Sequence, residues 1–155
     1  MKNRTYLTLL TVLCVSFFLT GCLNDLFDQD SQTYQGDPQL EFRPQTDTYA
    51  EDEGTIEVLV QLIGRQRSSD LTVNFSVNTN ETDAVEGTHY TLVDTSPVTL
   101  SANSSAATVS IDLSGTSLND GEFRTLVLTL DENNEVRPAE NLKNYTLTIE
   151  GVDGN

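Results

Sequence analysis

After Pro38 the chain alternates apolar and polar residues in short runs. Ile56, Val58, Val60 and Leu62 fall on one face of residues 54–63. Successive side chains of a strand point to opposite faces, so a two-residue period predicts a half-buried β-strand. Leu71, Val73, Phe75 and Val77 repeat the pattern, with Thr72, Asn74 and Ser76 opposite. Ala107, Val109, Ile111 and Leu113 form a third inner face against Thr108, Ser110 and Asp112. Leu126, Leu128 and Leu130 form a fourth, and Tyr145, Leu147 and Ile149 a fifth. Leu40 with Phe42, and Val98 with Leu100, predict shorter strands.

Between these runs lie turn-forming stretches at 64–70, 78–88, 94–97, 101–105, 114–121 and 131–141. No segment sustains the 3.6-residue period of an amphipathic helix. Of the 21 threonines, many lie at outward strand positions, where a β-branched polar side chain suits a solvated pleat. Seven to eight short strands at this spacing predict an all-β, antiparallel β-sandwich.

Composition narrows the function classes. Of 155 residues, 24 are acidic and 8 basic, a formal charge of −16. So acidic a surface repels phosphate backbones, which argues against nucleic-acid binding. The length suits one domain with a short appendage.

The N-terminus reads differently from the body. Lys2 and Arg4 precede an uncharged run from Thr5 to Thr20, dominated by Leu, Val and Phe. The run is shorter than the roughly 20 residues a bilayer-spanning helix needs, and suits a signal-peptide core. It ends in Leu19, Thr20, Gly21 and Cys22, which resembles the cleavage and acylation box of bacterial lipoproteins. The alternatives are an ordinary secretory signal with an incidental cysteine, or a transmembrane anchor. The resemblance implies cleavage after residue 21 and a lipid, palmitate included, on Cys22. Cys14 would leave with the signal, so no intramolecular disulfide would remain. A single acyl chain holds a membrane only marginally, whereas the two or three of a lipoprotein cysteine hold it stably. Residues 22–37 contain Asp25, Asp28, Asp30 and Asp37 among polar residues and read as an acidic flexible tether. Leu23 directly after the cysteine resembles lipoproteins sent to the outer membrane of Gram-negative bacteria. The expected organisation is therefore a signal peptide (1–21), a tether (22–37) and a sandwich (38–152).

Within the sandwich, residues 49–64 (YAEDEGTIEVLVQLIG) resemble the opening of a Calx-beta domain. Residues 73–77 (VNFSV) fit its next strand. Gly87, Thr88, His89 and Tyr90 stand where that family has a Gly-x-Asp-Tyr turn. Residues 98–100 and 107–111 fit the following hairpin, and Asn119, Asp120, Gly121 and Glu122 precede a strand as in its acid-rich lead-in. The resemblance covers residues 48 to 150 and implies an immunoglobulin-like fold. Some members of the family bind Ca²⁺, a hard cation that takes six to eight oxygen ligands. Carried over, the metal candidates are Glu51, Glu53, Asp83, Asp120 and Glu122. The sequence departs from the pattern at His89, at residues 114–117 (SGTS) and at Arg124.

Acidic loops also keep an anchored domain soluble, which needs no metal. His89 reads as a structural histidine and Tyr90 as a ring packed under its turn. Catalytic chemistry is thinly supplied: there is one His, no Gly-rich phosphate loop and no Gly-x-Ser-x-Gly elbow. The sequence thus predicts a non-enzymatic, lipid-anchored envelope module for adhesion or assembly, with a protein partner. Two alternatives are a calcium-binding sandwich and a carbohydrate-binding accessory lipoprotein with a glycan ligand.

Overall fold

A computed structural model describes Tyr34, residues 36–115 and residues 117–152. The proposed signal peptide, Cys22 and most of the tether lie outside these residues.

The alternation read from the sequence places the strands. Strand β1 (Gln39–Phe42) pairs antiparallel with β3 (Gly54–Ile63), Leu40 opposite Leu62. The other edge of β3 pairs with β8 (Ala106–Leu113), Val58 opposite Val109 and Ile56 opposite Ile111. Two short strands, β10 (Arg137–Pro138) and β6 (Thr91–Leu92), close this sheet in the order β10-β1-β3-β8-β6.

The second sheet packs its apolar side on the first. Strand β9 (Phe123–Leu130) lies between β5 (Phe75–Val77) and β11 (Asn144–Glu150), antiparallel to both. Strand β2 (Thr46–Ala50) adds to the far edge of β11 in parallel. The order is β2-β11-β9-β5. A two-stranded pair, β4 (Leu71–Val73) with β7 (Val98–Leu100), completes the fold.

The inner faces enclose one apolar core. Val60, Val109, Ile111, Leu113, Leu126, Leu128, Leu147 and Ile149 are fully buried. Each such side chain contributes about 1.5–3 kcal/mol of transfer free energy. The rings of Phe42 and Tyr145 tilt against each other at 5.8 Å, and the Tyr145 hydroxyl donates to Asp47 Oδ2 at 3.1 Å. Burial, with the Asp47 charge beside it, raises the pKa of that phenol well above its ordinary value.

Eleven strand segments are present among the described residues, more than the seven to eight expected. Two causes account for the difference. The run 71–77 keeps its buried period at Leu71, Val73 and Phe75 but changes partner at Asn74. There the Asn74 carbonyl accepts from Asp131 N at 3.0 Å, and Phe75 N donates to Ser96 Oγ at 2.9 Å. The other cause is β2, β6 and β10, short edge segments with little apolar alternation to betray them.

Candidate functional site

Three loops meet at one end of the sandwich: the β2–β3 turn, the β5–β6 loop and the β8–β9 loop. All five metal candidates lie there. Glu51 is 1% exposed, and its carboxylate faces inward along the β8–β9 loop. Its Oε2 accepts from Ser117 N at 2.8 Å and from Leu118 N at 3.0 Å. Its backbone is equally tied: Glu51 N donates to Glu150 O at 2.8 Å, and Glu51 O accepts from Gly115 N at 2.9 Å. Gly115 is tightly packed. A Cβ there would sit 3.1 Å from Thr88 O and 3.3 Å from Glu51 Oε2.

Asp83 and Glu122 repeat the same theme on the surface. Asp83 Oδ1 accepts from Thr125 N at 2.5 Å. Glu122 Oε2 accepts from Asn119 N and from Asn119 Nδ2, both at 3.0 Å. These donors, the backbone N–H first, hold the Glu122 carboxyl below the ordinary glutamate range. Glu53 and Asp120 are exposed, and no described residue donates a hydrogen bond to either carboxylate. Among the described residues, no three His, Cys, Asp or Glu side chains are grouped to hold a metal ion. A Ca²⁺ ion takes six to eight oxygens, and here Asp83 Oδ1, Glu122 Oε2 and both Glu51 oxygens already accept from N–H donors.

His89 supplies a local hydrogen bond, as the sequence suggested. Its Nδ1 accepts from Val85 N at 2.8 Å, which places the ring proton on Nε2. Tyr90 is buried beneath the same turn. Burial first, and the Glu86 charge second, raise its pKa. A small hollow of about 220 Å³ opens above Gly115, between the turn at 87–91 and Asp112.

Two large apolar residues stand exposed at this end. Phe123 is 61% exposed and Val85 53%. Asp83 N and Ala84 N both donate to Thr125 O, so the loop carries Val85 toward the start of β9, where Phe123 stands. Sequence reading missed this pair, because neither belongs to an alternating run.

The opposite end carries most of the positive charge. Arg67 pairs with Glu135, and Lys143 Nζ lies 2.9 Å from Glu140 Oε1. A hollow of about 590 Å³ lies there between residues 37–39 and the β9–β10 loop, lined by Glu132, Asn134 and Arg137 among others.

No protein-family model matches the chain. No curated protein matches it either. Solved structures do. The apo-form Calx CBD1 domain is similar at a TM-score of 0.62 and 18% identity, over 76% of this chain and 100% of that one. The calcium binding domain CBD12 of CALX1.1 is similar at 0.59 and 18%, over 74% of this chain and 45% of that one. A Bacteroides ovatus protein, provisionally described as carbohydrate binding, is similar at 0.56 and 15%, over 74% of this chain and 37% of that one. The chain thus spans less than half the length of the last two. At these identities the likeness shows the fold: a Calx-beta-like, immunoglobulin-like β-sandwich.

Proposed function

We propose that this protein is a lipid-anchored lipoprotein of the Gram-negative outer membrane whose sandwich is a non-catalytic interaction module. The observation that carries the reading is the exposed pair Phe123 and Val85 on the acidic loop end. Neither side chain serves the core. Edge strands and end loops carry partner contacts in sandwich domains. The anchor rests on Cys22 and the apolar run before it.

Two measurements test the two halves of the reading. Metabolic labelling with an alkyne fatty acid is expected to mark the protein and to fail in Cys22→Ser. Label retained in that variant overturns the anchor. A photo-crosslinking side chain at position 123 is expected to trap one defined adduct in cells. The same crosslinker at Glu57, on the exposed middle of β3, is expected to trap none. Equal trapping at both positions overturns the docking surface.

Calcium loading of the same loop end is the second reading. The Calx likeness and the free carboxylates of Glu53 and Asp120 favour it. Thermal unfolding in chelator and then in excess Ca²⁺, with Mg²⁺ as control, decides it. Ligand at about 100 times its dissociation constant adds roughly 2.7 kcal/mol, on the order of 10 °C for a domain of this size. An unchanged midpoint removes the reading.

A further inference from the structure

We propose that the hollow above Gly115, walled by His89 and Asp112, binds one neutral sugar residue or a polyol of that size. The proposal rests on the interaction-module reading and names a ligand for it.

Size sets the first limit. At about 220 Å³ the hollow holds roughly seven waters at ~30 Å³ each. That is room for one six-membered sugar ring and too little for a drug-sized ligand or a folded peptide.

The polar groups around it set the second limit. His89 is 8% exposed, its Nδ1 is taken by Val85 N–H, and no described residue accepts from Nε2–H. That N–H faces solvent and is free to donate, so a ligand oxygen can take the place of water at that point. Across from it, Asp112 Oδ2 accepts from Ser114 Oγ at 2.6 Å, and Oδ1 has no donor among the described residues. Thr91 stands directly opposite Asp112 in the β6–β8 pairing. The site therefore asks for an acceptor at His89 and a donor at Asp112 on one small molecule. Hydroxyl groups both donate and accept, and adjacent hydroxyls on a ring meet both needs. An ammonium has no lone pair for His89 Nε2–H, and a metal ion cannot use that N–H at all. A phosphate or uronate would meet the net negative charge of the domain.

The walls are set before any ligand arrives. Gly87 N donates to Tyr90 O, and His89 N to Val85 O, both at 2.8 Å. The Glu51 carboxylate holds the β8–β9 loop that carries Gly115, and Gly115 packs tightly, a Cβ there lying 3.1 Å from Thr88 O. Preformed walls reduce the ordering cost of binding.

The test is saturation-transfer NMR on the full chain in a sugar-free zwitterionic detergent. The probes are glucose, galactose, mannose and N-acetylglucosamine, with glucuronate as the charged control. At least one neutral sugar is expected to receive saturation and glucuronate none. Asp112→Asn is expected to weaken binding about tenfold, the loss of one charge-assisted hydrogen bond. Thr91→Val, at an exposed position, is expected to weaken it less while leaving the melting midpoint unchanged. Silence from every neutral sugar overturns the proposal, and so does full transfer in both variants. The position-123 crosslink reads the interaction module separately, so a trapped adduct with a silent sugar panel sinks the pocket alone.

Discussion

At one end of the sandwich, Glu51, Asp83 and Glu122 face backbone N–H groups; at the other, Glu135 and Glu140 face cationic side chains. Glu51 holds the amides of Ser117 and Leu118 from a buried position. Glu135 and Glu140 meet Arg67 and Lys143 on exposed loops. The two arrangements differ in energetic weight. A buried amide left without its acceptor costs about 1–3 kcal/mol, whereas an exposed ion pair contributes about 0–1 kcal/mol. Arg67 Nε is itself buried without a hydrogen-bond partner among the described residues, which lowers the net value of that pair. The acidic end is thus the better-tied end, although its charges look mutually repulsive in the sequence. Glu51, Asp83 and Glu122 each face a separate set of amides, which offsets part of that repulsion.

Glu51→Ala breaks this contrast most directly. The buried Leu118 amide and the part-buried Ser117 amide lose their acceptor, and stability is expected to fall by about 3 kcal/mol. Thermal unfolding in chelator should show a midpoint lower by on the order of 10 °C. Glu51→Gln, which keeps one acceptor oxygen, should recover part of the loss. Equal midpoints for wild type and Glu51→Ala in chelator would mean that these hydrogen bonds add nothing to stability.

Gly151→Ala probes the same end through packing. A Cβ at Gly151 would lie 2.2 Å from Asn119 O, so the β8–β9 loop must shift. The expected cost is about 2 kcal/mol, read by denaturant titration with the slope unchanged. Arg67→Ala at the opposite end should cost about 0.5 kcal/mol or less. A loss as large as that of Glu51→Ala would reverse the comparison.

The smallest effect is one of pH. The Glu122 carboxyl titrates lower in the folded chain than in the unfolded one. Its contribution is therefore present above the ordinary glutamate range and is lost as pH falls through the folded value. Glu122→Gln should melt slightly below wild type at neutral pH, and the two curves should converge in acid. A gap that persists in acid would assign the effect to Asn119 packing instead of charge.

Much of this fold is legible in the sequence. The inner positions of β3, β8, β9 and β11 were read correctly because period-two burial is written in neighbouring residues. The turn at His89 was readable as structural, although its acceptor role toward Val85 was not. Strand β2 was invisible: Thr46, Asp47 and Thr48 show no apolar alternation, and only pairing with β11 makes the segment a strand. The same limit hid the work of the acids. The Calx-beta resemblance grouped Glu51, Glu53, Asp83, Asp120 and Glu122, and the strand order brings their loops to one end. The resemblance could not tell which carboxylates would meet backbone amides.

The sequence by itself determined the all-β class, the buried face of each long strand and the net negative charge, since all three depend on local period or on counting. The tertiary structure alone decided that Glu51 closes onto Ser117 and Leu118, that Phe123 and Val85 share one end, and that Gly115 floors a hollow. Each joins residues far apart in the chain, and a carboxylate's role depends on the donors that folding brings within about 3 Å of it.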